Sequence, residues 1–197
     1  MVYYRSHAHE PTAPMMIEHP GLDEPCSEHF TYRDLVECGE TWARMALSAG
    51  EGRDNTPRTL ETFAALRSLC ATVLDPAVKR FGRILLTYGF ASPRLTRHIR
   101  GRIAPAIDQH ASHEVNRAGV PICSRLGAAA DFLVPGVDSR EVARWLAESA
   151  AFDRLYFYDP DRPLHVSVGP ENTRQVVHMR RTTSGRRVPR VVAAGSL

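Results

Sequence analysis

The strongest apolar periodicity in the chain lies between Pro57 and Phe81, where Leu60, Phe63, Leu66, Leu69, Cys70, Val73 and Leu74 recur at helical spacing. Such spacing lines one face of a helix. Thr56-Pro57 supplies its start, because proline's preset φ and missing N–H suit a first turn. This is the expected core helix, bent where Pro76 removes a backbone donor and stopped at Gly82. Ahead of it, Thr31 and Asp34 have the spacing of a capping box with Asp in place of Glu, opening a short helix that should bury Leu35 and Cys38. A turn is expected from Gly50 to Asn55, and Ser92-Pro93 opens another helix. Asp138 or Ser139 caps one more, which should bury Val142, Trp145 and Leu146. Strands are predicted over 84–88, 127–134, 152–158 and 163–169 from short apolar or alternating runs.

Two of these strands carry side chains that change the picture. Gly127, Ala128, Ala129 and Ala130 permit close backbone approach, and Asp131 follows them just as the chain turns apolar at Phe132, Leu133 and Val134. A carboxylate inside a fold needs a compensating partner. The best one in sequence is His165, within Pro163-Leu164-His165-Val166-Ser167-Val168-Gly169. The pair reads either as part of a metal site or as a buried Asp–His hydrogen bond. Residues 98–118 add the densest group of possible ligands, His98, Asp108, His110, His113 and Glu114. On a helix, His110 and His113 would share a face and could bind one ion together, or simply form a solvated face.

Composition sets the limits. A chain of 197 residues, 43% hydrophobic, can bury one substantial core, so a single domain is expected, with a polar N-terminal extension over 1–29 and a basic C-terminal tail over 180–197. Arg180, Arg181, Arg186, Arg187 and Arg190 make that tail basic, yet the formal net charge is only +3 and every basic residue except Lys79 is Arg. This pattern looks more like codon bias than a nucleic-acid surface, so no nucleic-acid partner is expected. Cys26, Cys38, Cys70 and Cys123 have no short metal-type spacing, and no apolar run resembles a signal peptide or membrane span. A cytoplasmic protein with reduced thiols and no membrane partner is expected.

From Phe30 to Gly169 the order of motifs resembles the Hedgehog/D-Ala-D-Ala carboxypeptidase-like zinc peptidases, especially the phage endolysin and peptidoglycan-peptidase branch. The resemblance rests on Phe30-Thr31, Asn55-Thr56-Pro57, Leu74-Asp75-Pro76 and Phe81-Gly82. It continues through Tyr88-Gly89-Phe90-Ala91-Ser92-Pro93-Arg94-Leu95, the Gly-x-Ala-x-Asp element ending at Asp131, and His165-Val166-Ser167. It implies an α+β fold with a small, mainly antiparallel sheet covered by helices. It also implies a zinc site at Asp131 and His165. The family's first zinc His falls at Ser124 here, and two replacements remain open: Cys123, one residue away, or His110, whose Asp108-Gln109-His110 resembles the family's Ser-Gln-His. The family's Arg that helps anchor a substrate carboxylate is Ala91.

Two functions follow from the resemblance and its departures. The first is a metal-dependent hydrolase in which Asp131, His165 and either His110 or Cys123 bind Zn²⁺ and leave a fourth position for water. The family carries its base just before the closing His, so Asp161 is the first candidate for proton transfer, with Asp159 second and Glu114 third. Its expected substrate is an intracellular amide or another small polar or peptide-like molecule rather than peptidoglycan. The second is a metal-free binding protein on the same fold, for which Ser124 and Ala91 mark lost chemistry.

Overall fold

Alternation along a strand sends successive side chains to opposite faces of a sheet. In the computed structural model, which describes residues 19–47, 54–99 and 104–197, that rule divides the core from the candidate site. The strands are β1 (Leu85–Tyr88), β2 (Ala128–Leu133), β3 (Arg154–Phe157), β4 (Leu164–Val168), β5 (Gln175–Arg181) and β6 (Arg187–Val192). They form one sheet in the order β1-β2-β4-β3-β5-β6. Every pairing is antiparallel except β3 with β5, so the α+β sheet is mixed but mostly antiparallel.

One face of the sheet presents Ala128, Ala130, Phe132, Leu164, Val166, Leu155, Phe157 and Val176 to the hydrophobic core. The same core takes Phe63, Leu66, Leu69, Cys70, Val73 and Leu74 from the central helix. That helix starts later than Thr56-Pro57. Asp54 accepts a hydrogen bond from the Thr56 N–H at 3.1 Å in a local turn, and Thr59 becomes the N-cap of α3 (Leu60–Leu69). The helix then continues through a π-helical turn, Cys70–Leu74, into α4 (Asp75–Phe81). The wider turn ends where Asp75 N–H donates to Cys70 O, immediately before Pro76. This arrangement accommodates the missing proline donor without ending the helix.

Thr31 and Asp34 form both halves of the capping box of α1 (Tyr32–Val36). Leu35 is buried, whereas Cys38 lies beyond the helix and is only partly buried. α2 (Glu40–Leu47) was not anticipated, while α5 (Pro93–Thr96) begins at its Ser92 cap and α6 (Ser139–Ser149) at Asp138. Trp145 on α6 is partly buried.

Both expected ends need correction. Residues 1–18 of the predicted extension lie outside the described residues, as do 50–53 of the predicted turn. Within 19–29, Cys26 is buried in the core and Leu22 packs against it. The supposed basic tail is not a tail: its arginines lie on a β5–β6 hairpin paired from Val176–Val192 to Arg181–Arg187, and Leu197 is buried. Among the described residues, no helix is long and apolar enough to cross a membrane.

Candidate metal centre

The face opposite the helical core carries a continuous polar and aromatic row. Strand register sets Tyr88 beside Asp131, Asp131 beside His165, and His165 beside Tyr156. A register irregularity between Leu86 and Tyr88 brings Tyr88 into that row. Small local shifts of this type re-aim side chains beside functional sites.

The third ligand candidate comes from the loop before β2. Asp108 caps a short 3-10 turn, Gln109–Ala111, and accepts the His110 N–H at 3.2 Å. Ser124 N–H and Oγ both donate to Ala106 O at 2.9 Å. Thus Ser124, where the sequence resemblance led to the expectation of a zinc His, closes the loop instead. Its fold brings in His110, whose backbone O accepts from Ala91 N–H at 2.9 Å.

Three donor atoms then form a triangle. His110 Nε2 lies 3.1 Å from His165 Nδ1, His165 Nδ1 lies 2.8 Å from Asp131 Oδ1, and His110 Nε2 lies 3.2 Å from that same oxygen. A tetrahedral zinc with bonds of about 2.0–2.1 Å separates its donors by about 3.3 Å. The triangle is slightly smaller than one face of such a sphere, and its two imidazoles and one carboxylate are donor types that could hold a zinc ion.

Orientation comes from the outer contacts. His110 Nδ1 lies 2.7 Å from Gly89 O. Since the carbonyl only accepts, Nδ1 carries the proton and Nε2 faces the triangle. A Cβ at Gly89 would come 2.2 Å from Leu35 O, so only glycine fits that backbone approach. Asn55 holds the same loop, donating from Nδ2 to Val36 O at 2.7 Å and Phe90 O at 2.9 Å while accepting Ser92 N–H at 2.7 Å. Tyr88 lies against the His110 ring at 3.9 Å between centroids, and Tyr156 meets His165 edge-on at 5.1 Å.

Burial would push the Asp131 carboxyl up, but the charges and hydrogen bonds of His110 and His165 hold it well below the usual carboxylate range. Burial works against a charged His110, while Asp131 raises its basicity overall. Tyr158 is pushed up to about 12, by burial first and then by Asp131. The electrostatic centre of the site is therefore anionic Asp131 held between two imidazoles.

Other predicted residues separate by position. Cys123 is fully buried outside this triangle, and burial raises its thiol pKa. It does not supply the third ligand atom. His113 does not join His110, because the chain reverses at Ser112, where φ is 51°. Instead His113 Nε2 accepts Gly127 N–H at 3.1 Å. Glu114 is buried at the beginning of α3, where Oε1 accepts from Arg58 N–H at 2.9 Å and Thr62 Oγ at 3.1 Å. Those bonds give it a structural role in place of the proposed base. Asp159 is bound by Arg187 and lies 3.6 Å from Arg181; Arg187 principally holds its carboxyl below the usual range. Asp161 is exposed in the turn between β3 and β4.

Sequence reasoning missed the orienting carbonyl of Gly89 and the flanking rings of Tyr88 and Tyr156. Alternation of Leu155, Tyr156, Phe157 and Tyr158 signals a tyrosine pair facing away from an apolar Leu–Phe pair, but the neighbour of each ring depends on strand register. No family model, curated protein or solved structure matches this chain.

Proposed function

We propose that His110, Asp131 and His165 hold Zn²⁺ and that the chain is a metal-dependent hydrolase acting on an amide bond. The carrying observation is the contact between His110 Nε2 and Asp131 Oδ1 at 3.2 Å while Nδ1 is committed to Gly89 O. In neutral His110 these facing atoms are both acceptors, so a shared cation stabilises their approach. When bound, zinc would polarise an amide carbonyl and increase the acidity of a water.

His110, Asp131 and His165 serve as ligands, while the Tyr88 and Tyr156 rings flank the histidines. Asp161 is the proposed proton-transfer residue because it precedes His165 and lacks the arginine partners that hold Asp159. Ala91 is fully buried and contributes no guanidinium for a substrate carboxylate. The proposed substrate is therefore an intracellular amide in a peptide-like or other small polar molecule, without a carboxylate anchor at Ala91.

A protonated His110 offers the metal-free solution to the same geometry. Its raised basicity supports the second reading, a binding protein without hydrolase activity. An amide-substrate panel distinguishes the two functions: hydrolysis should disappear with a chelator and return with Zn²⁺. Asp161→Asn should lower kcat by about 10²–10⁴-fold while leaving metal content unchanged. No zinc-dependent turnover across the panel, together with no zinc retained by the protein, would favour the metal-free binding function.

A further inference from the structure

Cys26 and Cys70 come from different parts of the fold but meet inside its core. Cys26 precedes α1, whereas Cys70 begins the π turn in the central helix. Their Sγ atoms are 3.6 Å apart, and both residues are buried. Disulfide formation requires about 1.5 Å of further approach, because a sulfur–sulfur bond is about 2.05 Å long. That displacement is small beside the reach of two side-chain rotations.

The surrounding contacts already dock the Cys26 segment. Ser27 Oγ donates to Asp75 Oδ1 at 2.9 Å, Glu28 N–H donates to Asp75 Oδ2 at 3.1 Å, and Lys79 pairs with Glu28 at 2.5 Å. These partners lie on α4, immediately after the turn carrying Cys70. The same segment leads into α1, whose Leu35 O accepts Phe90 N–H at 2.8 Å. A covalent link would therefore fasten the layer behind the Gly89 loop to the core helix.

We propose that Cys26 and Cys70 form an oxidisable modification site whose product is an intramolecular disulfide. Its oxidant is a small-molecule disulfide. Cys26 thiolate attacks that S–S bond, forming a mixed disulfide and releasing one small thiolate; Cys70 thiolate then attacks Cys26 sulfur and releases the second. Two electrons pass from the protein dithiol to the oxidant, and the two cysteine protons reside on the two released thiols. Cys26 reacts first during opening of its loop, since Cys70 lies within the helix. The link spans a chain separation of 44 residues, so it should restrict the unfolded chain and raise Tm.

The test uses full-length protein treated with oxidised glutathione, both native and during refolding in a glutathione redox buffer. Peptide mapping should recover a Cys26–Cys70 cross-link, intact mass should fall by the two lost hydrogens, and a reductant should reverse both changes. Oxidation should raise Tm in the native sequence but not in Cys26→Ser or Cys26→Ala. Stable glutathione adducts on Cys26 or Cys70, a cross-link to Cys38 or Cys123, or no link after either treatment would overturn the proposal. Zinc content is measured separately, so this result stands independently of the hydrolase reading.

Discussion

His110 reaches Asp131 because the loop before β2 is fixed at both ends and because Gly89 offers its carbonyl to Nδ1. Asp131 and His165 were legible in sequence from their short apolar strands, and antiparallel register makes them direct neighbours. The choice between His110 and Cys123 was not legible, since residues 104–126 lack a periodic pattern and contain the unusual turn at Ser112. Gly89→Ala tests the orienting contact. Its new Cβ would meet Leu35 O at 2.2 Å, displacing the carbonyl that holds His110. Zinc affinity should fall by about 10–100-fold in a competitive-chelator titration while the fold remains. Unchanged affinity in a folded variant would contradict this positioning role.

Strands β1 to β4 were readable because their apolar positions supply the helix-facing core, but β5 and β6 lack so clear a pattern. On β6, Val188, Pro189, Arg190 and Val191 are all exposed, so apolar and polar residues do not divide cleanly between faces. Its arginines therefore resembled a tail, and Pro189 is consistent with an edge strand. Deleting 182–197 would remove β6 and buried Leu197. Thermal unfolding should show a lower Tm; an unchanged transition would make the hairpin an appendage. At the core helix, Leu69 is fully buried. Leu69→Ala should cost about 2–5 kcal/mol in denaturant unfolding, and an unchanged midpoint would contradict its core role.

Across the whole molecule, one sheet separates two environments: a helical core on one face and the His–Asp row on the other. Buried Asp153 ties this arrangement to the site loop. It accepts from Gln109 Nε2 at 3.0 Å, Thr173 N–H at 2.9 Å and Arg154 at 2.5 Å. Burial opposes its ionisation, but the Thr173 hydrogen bonds, Gln109 and Arg154 lower its pKa overall. Its stabilising contribution should be present above about pH 4 and decline as acid protonates the folded carboxyl. Denaturant curves across acidic pH should show a shallower decline for Asp153→Asn; an identical slope would contradict that assignment.

Metal analysis of untagged full-length protein after zinc loading and dialysis tests whether His110, Asp131 and His165 form a metal centre. About one Zn²⁺ per chain should remain in the native sequence and in Cys123→Ser, with near-zero retention in folded His110→Ala, Asp131→Ala and His165→Ala. Absence of stoichiometric zinc after loading, or full retention in any of those three ligand variants, would contradict the proposed metal centre.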